Sequence, residues 1–157
     1  MATGLLHLHN ILRWIILILL LISIYKAYTG WKGNKAFSPG DRKTWLFTMI
    51  AAHVTLILGL YQVLAGNIGW FTHPPLMEGE TVMSNKGLRF FLVEHPILMI
   101  LAIVFITMAY GMAKKPVADT VKYQKAFRFF LIALLLILLG IPWPFRAEIG
   151  RALFPGM

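Results

Sequence analysis

The stretch that decides how this chain folds is Phe90–Met112, with the sequence FFLVEHPILMILAIVFITMAYGM. Its 23 residues exceed the ~20 apolar residues that a helix needs to cross a bilayer. Glu94 is its one charged side chain. The stretch lacks the alternation of apolar and polar residues that is typical of a half-buried strand. It therefore predicts a transmembrane helix.

Three further apolar runs are long enough to span a membrane: about 5–28, 44–65 and 126–143. The chain has 157 residues, 59% hydrophobic and 13% charged, with a mean hydropathy of +0.73. Soluble domains average roughly 45–50% apolar and about 25% charged residues. Four spans use about 80 residues, which leaves room for short connections only. The sequence predicts one all-α domain over residues 1–157, an integral membrane four-helix up-down bundle.

The positive charges predict an orientation. Of the 15 Lys and Arg residues, ten lie in two stretches between apolar runs: Lys26, Lys32, Lys35, Arg42 and Lys43, then Lys114, Lys115, Lys122, Lys125 and Arg128. Cytoplasmic loops of membrane proteins carry such an excess. We therefore expect both stretches inside, and both chain termini and the segment 66–86 on the outer, periplasmic side. The same distribution explains the net charge of +9 without nucleic-acid binding.

Several classes of site are excluded by residues that the sequence lacks. The chain has no Cys, so it forms no disulfides, thiolate metal sites or iron–sulfur clusters. It also has no Gly-x-Gly-x-x-Gly motif, no Walker loop and no carboxylate pair suited to glycoside chemistry. An electron-transfer protein or subunit is favoured over a stand-alone enzyme.

Turn residues mark the connections between the runs. Ser38-Pro-Gly-Asp41 predicts a turn and a cap for the second helix, and Pro116 interrupts the connection between the third and fourth helices. Gly140, Pro142 and Pro144 predict the end of the fourth helix. The outer segment 66–86 is interpreted either as a flap on the mouth of the bundle or as a simple loop.

Ionisable side chains inside the apolar runs are functional candidates, because burying them in a membrane is costly. They are His9, Arg13, His53, Arg89, Glu94 and His95. His9 lies 17 residues, or ~25 Å, from Lys26, and His95 lies 19 residues, or ~28 Å, from Lys114. His9 and His95 are thus predicted at matching depth, whereas His53 lies near the midplane.

Imidazoles on facing helices of a bundle bind haem iron and other transition metals. His95 is interpreted as one axial ligand, with His9 or His53 as the other. Matching depth favours His9, and the small residues Ala52 and Gly59 favour His53.

Three arginines, Arg13, Arg89 and Arg146, fall near the outer face. They suit the two propionates of a haem edge, or alternatively lipid phosphates. Three roles are open for the Glu94 carboxylate. It orients a histidine ligand, takes the proton of a quinol, or pairs with Arg89 or Arg13.

Four short motifs resemble those of small bacterial four-helix membrane proteins of the cytochrome b type, which are cytochrome b561-like or similar to half of haem A synthase. They are His7-Leu-His-Asn-Ile-Leu-Arg-Trp14, Ala52-His53 with Gly59, Arg89-Phe-Phe with Val93-Glu-His-Pro96, and Ile141-Pro-Trp-Pro-Phe-Arg146. The resemblance implies haem b held by histidines and electron exchange with a quinone pool or with other respiratory membrane subunits. It also implies the bacterial inner membrane as the location. The fourth helix lacks the histidines of the two-haem pattern, so we expect one haem.

Two other functions remain open from the residues. A non-haem metal site would use His7, His9, His53, His95 and Glu94. Alternatively, the chain is a structural or interaction subunit without a cofactor, in which these polar groups form hydrogen bonds between helices.

Overall fold

The computed structural model describes residues 2–64 and 74–153, with side chains from residue 4. Four long helices make up most of this part: α1 (Ala2–Lys32), α2 (Pro39–Leu64), α3 (Lys86–Met112) and α4 (Asp119–Gly140). Each helix is long and apolar enough to cross a membrane. For the described residues, the prediction of an all-helical fold with four helices able to span a membrane is confirmed. Beside the basic stretches, α1, α2 and α4 extend beyond the predicted runs, whereas α3 ends at Met112 as predicted and begins four residues earlier, at Lys86.

The helices form an up-down bundle in which each packs on its neighbours along the chain, and α4 also packs on α1. The interface between α2 and α3 is less extensive than the other three. The cavity of the bundle lies beside this less extensive interface.

Both basic connections, 33–38 and 113–118, lie at one end of the bundle, which we call the basic end. There the backbone N–H of Phe37 donates a 2.9 Å hydrogen bond to Asp119. At the opposite end, which we call the terminal end, Gln62 of α2 donates to the Leu5 carbonyl of α1 at 2.9 Å. The segment that follows α4 also lies at the terminal end.

The core of the basic end is tightly packed and aromatic. Trp45, Tyr123 and Phe130 are almost completely buried, and Trp45 contacts both of the other rings edge to face. Gly30 of α1 lies directly against the Tyr123 ring, because an added Cβ would come within 2.5 Å of that ring. This glycine therefore allows α1 and α4 to approach closely.

A polar network joins three helices within this aromatic core. The Tyr123 hydroxyl donates a 2.6 Å hydrogen bond to Asp41, and Lys26 forms a 3.1 Å ion pair with the same carboxylate. Ser38 and Asp41 exchange hydrogen bonds as a capping box at the start of α2, as the Ser38–Asp41 turn predicts. Farther from this end, Ser23 and Thr48, both fully buried, share a 2.8 Å hydrogen bond between α1 and α2.

Helix α3 contains one π-helical turn, Phe90–Glu94, between Lys86–Arg89 and His95–Met112. Pro96 has no N–H to donate to the Leu92 carbonyl, and its ring would crowd that carbonyl in an α-helix. The wider turn relieves this conflict, and the His95 N–H donates to the Phe90 carbonyl instead. Such insertions are frequent at functional sites.

The segment Pro142–Leu153, which we call the C-terminal strap, folds back over the terminal end. Helix α4 ends at Gly140, as the Gly and Pro residues predict, and three residues before the end of the predicted run at 143. Trp143 and Arg146 of the strap then donate to the Leu138 and Leu139 carbonyls and satisfy the end of the helix.

Of the outer segment 66–86, residues 74–85 form exposed turns. Residues 66–73 lie outside the described part of the chain, so the choice between flap and loop rests on residues 74–85 alone.

We expect Tyr123→Phe to lower the free energy of unfolding by about 1–3 kcal/mol. The buried Asp41 carboxylate then loses the hydroxyl group that donates a hydrogen bond to it. Tyr25→Phe is the matched control, since Tyr25 is 69% exposed, and it should change stability by less than about 0.5 kcal/mol. Unfolding of both variants in detergent, followed by circular dichroism, measures the difference. Equal stabilities would contradict a structural role of this hydrogen bond.

Candidate functional site

Two histidines from different helices meet near the terminal end. The ring centroids of His9, on α1, and His95, on α3, lie 6.5 Å apart at an interplanar angle of 64°. Both side chains are partly buried. The structure thus brings together the two residues that the helix rise predicts at matching depth.

The backbone of α4 orients His95. Its Nδ1–H donates a 2.7 Å hydrogen bond to the Gly140 carbonyl, so Nε2 carries the free lone pair. Gly140 is close-packed, because a Cβ there would collide with Met99 and lie 3.3 Å from the Leu98 Cβ. A backbone acceptor of this kind fixes the tautomer and the ring orientation of a metal-binding histidine.

The His9 ring lies over a glycine of α2. A Cβ on Gly59 would come within 3.2 Å of the His9 Cε1, so a larger residue would push the ring aside. The buried Nδ1 of His9 has no hydrogen-bond partner among the described residues. A buried polar atom without a partner is uncommon and indicates either strain or a group missing from its surroundings.

The two histidines line a cavity of about 270 Å³. This volume exceeds the ~150 Å³ apolar cavity that admits benzene, so it is large for a simple packing defect. Side chains from all four helices form its mostly apolar wall, and the exposed Leu60 and Leu64 are part of that wall. The cavity therefore reaches the surface of the bundle.

Two arginines also line the cavity. Arg13 donates from Nη2 to the Leu153 carbonyl of the strap at 2.6 Å, while its buried Nε has no partner among the described residues. Arg151 of the strap lies over the Phe91 ring, with its guanidinium carbon 4.6 Å from the ring centroid.

Sequence reasoning singled out Arg13 and missed Arg151. The position of Arg151 in the sequence could have identified it as a candidate, because it is one of only five basic residues outside the two basic stretches.

Arg89, Glu94 and Arg146 are predicted site residues that lie outside this cavity lining. Arg89 pairs with Glu94 at 2.8 Å, which is one of the alternatives left open for that carboxylate. Arg146 donates to the Leu139 carbonyl at 3.0 Å and lies over the Phe90 ring. These two arginines and Glu94 thus have partners within the chain.

His53 lies apart from the histidine pair. Its Nδ1 donates to the Met49 carbonyl at 2.9 Å, and its side chain lines a separate groove between α2 and α3. Gly59 and Ala52, which were expected to make room near His53, line the cavity of His9 and His95 instead. His7 is exposed. Within residues 2–64 and 74–153, no three His or acidic side chains are grouped as a metal site.

We expect Gly59→Val to displace the His9 ring and to lower stability by about 1–3 kcal/mol through overpacking. In protein labelled with ¹⁵N-histidine, the His9 signals should shift while those of His53 stay in place. Gly111→Val is the control, since a Cβ at Gly111 meets no atom within 4 Å. Unchanged His9 signals in the Gly59 variant would contradict this packing.

Comparison of the chain with protein-family models, with curated proteins and with solved structures gives no match.

Proposed function

We propose that this chain is a membrane-embedded b-type cytochrome, or a cytochrome-like electron-transfer subunit, in which one haem b is held between His9 and His95. The observation that carries the proposal is the pair of imidazoles on facing helices beside a mostly apolar cavity. Bundles build cofactor sites in this way, from side chains that project inward from different helices.

The residues present fit such a group. Imidazole nitrogens bind haem iron directly, so His9 and His95 would hold the group from two helices. The centroids of His9 and His95 are 6.5 Å apart. His95 has a free Nε2 lone pair, and His9 has a buried nitrogen without a partner. Both histidines can therefore act as ligands without losing an existing hydrogen bond.

The surrounding residues would hold and tune the cofactor. When bound, haem b supplies a one-electron redox couple. The Gly140 carbonyl keeps the His95 ring in its orientation, and Gly59 leaves space beside the His9 ring. The mostly apolar wall would lower the local dielectric constant around the group and, together with the two histidines, would set its reduction potential.

The electron partner that we propose is a membrane-soluble quinone, with other redox subunits as further partners. Helices α2 and α3 pack less extensively than the other neighbours, and exposed leucines of α2 form part of the cavity wall. A lipid-soluble carrier can approach the cavity through this side of the bundle. This geometry supports the quinone partner that the motif resemblance implies.

We further propose a bacterial inner-membrane location with the basic end inside and the terminal end outside. The support is that both basic connections lie at the same end of the bundle, as the positive-inside rule requires. The cavity then faces the outer leaflet.

A cysteine-accessibility experiment tests this orientation, because the chain contains no Cys that would add background. We expect Ser84→Cys, in the exposed turns of the terminal end, to react with a membrane-impermeant maleimide in intact cells. Lys35→Cys, in the exposed 33–38 connection, should react only after permeabilisation. The opposite labelling pattern would invert the proposed topology.

Absorption spectra test the haem. Protein purified from cells with ample haem should show a shifted Soret band and a sharp α-band after reduction with dithionite. His9→Ala and His95→Ala should lower haem occupancy at least about tenfold, because each removes a histidine that would hold the haem iron. His53→Ala is the matched control, because His53 lies outside the cavity lining, and it should retain the spectrum.

Circular dichroism of each variant separates haem loss from unfolding. A colourless wild-type protein that also takes up no added haemin would overturn the proposal. So would a His53 variant that loses haem while the folded His9 and His95 variants retain it.

A further inference from the structure

The acidic side chains of this chain leave both arginines of the cavity, Arg13 and Arg151, without a carboxylate partner. The chain has six Asp and Glu residues, and all of them are described. Four form ion pairs away from the cavity: Asp41 with Lys26, Asp119 with Lys122, Glu94 with Arg89, and Glu148 with Lys86. Glu78 and Glu80 lie in the exposed turns 74–85. Among the described residues, no Asp or Glu side chain lines the cavity that holds His9 and His95.

Arg13 and Arg151 line that same cavity and have no acidic partner in the described chain. Arg13 contacts a neutral carbonyl through Nη2, and its buried Nε is unpaired. Arg151 contacts the face of an aromatic ring. Arg13 lies within the apolar helix α1, where a guanidinium without a counter-charge is costly, whereas Arg151 is exposed in the strap. An anion from outside the chain would offset that cost.

We propose that Arg13 and Arg151 form an anion site that binds the carboxylate end of an amphipathic ligand, whose apolar body lies in the cavity. Planar guanidinium groups bind carboxylates through paired, charge-assisted hydrogen bonds. The identity of the ligand rests on the proposed function, because haem b carries two propionates on one edge. The anion site itself rests only on the two uncompensated arginines.

The site also links the ligand to the C-terminal strap. Arg151 belongs to the strap and Arg13 belongs to α1, so an anion bound by both joins the strap to the bundle. The Leu153 carbonyl already accepts from Arg13 and from the Trp14 indole at 3.1 Å. A bound carboxylate adds a charged contact between the strap and α1. Trypsin cleavage after Arg146 or Arg151 should therefore slow when the ligand binds.

A pair of ligands that differ only in charge tests the site. Protein freed of bound cofactor is titrated with haemin and with haemin dimethyl ester, in which both propionates are neutral. We expect the wild type to bind haemin at least about tenfold more tightly than the ester, as the loss of charge-assisted hydrogen bonds implies. Arg13→Gln and Arg151→Gln should each reduce this preference, mainly by weakening haemin binding.

Lys86→Gln is the matched control. It removes one positive charge from the terminal end and loosens the strap through Glu148, but Lys86 does not line the cavity. This variant should keep the wild-type preference for haemin. Equal binding of haemin and the ester by wild type would overturn the anion site and leave the haem proposal standing. A preference that survives in both arginine variants would also overturn the site.

If neither porphyrin binds, the haem proposal fails and the anion site is tested separately. Dodecanoate and dodecanol then replace the porphyrins, and thermal unfolding and trypsin resistance are measured. Stabilisation by dodecanoate alone, lost in both arginine variants and kept in Lys86→Gln, supports the site. Equal effects of the acid and the alcohol, or none from either, overturn it.

Discussion

The carboxylate of Asp41 joins three helices at the basic end, and the shape of the bundle depends on it. It accepts a 2.6 Å hydrogen bond from Tyr123 of α4 and pairs with Lys26 of α1 at 3.1 Å. Lipid tails are as apolar as the side chains that they surround, so burial of apolar area does little to hold helices together in a membrane. Close packing and hydrogen bonds between helices must do this instead. Here they are concentrated at one end, together with the buried Trp45 and Phe130.

The opposite half of the bundle is built differently, and this difference makes a site possible. The proline of α3 forces a wider turn, and close-packed Gly140 offers its carbonyl to His95. Gly59 leaves room beside His9. Because the basic end and the strap close the bundle at its two ends, the helices can separate around a cavity between them. A bound cofactor with an anionic edge would fill this cavity.

Some features of the site followed directly from residue positions. The matching depth of His9 and His95 was predictable because a helix rises by a constant amount per residue. The direction of the His53 side chain, away from the cavity, was not predictable, because it depends on the rotation of α2 about its axis. Arg151 was missed because it lies beyond a proline-rich turn, where no periodic rule relates sequence position to space. The pairing of Glu94 with Arg89 depends on the π-helical turn, which changes the register by one residue.

The sequence by itself determined four apolar helices, their alternating direction, and the placement of both basic connections at one end. These properties follow from length, hydropathy and charge, each of which is local to its segment. Only the tertiary structure decided which polar side chains meet. It placed His9 beside His95, turned His53 into a separate groove, and brought Arg151 to the cavity of Arg13. Helix rotation, the wide turn of α3 and the path of the strap control those contacts, and each results from packing between segments far apart in the chain.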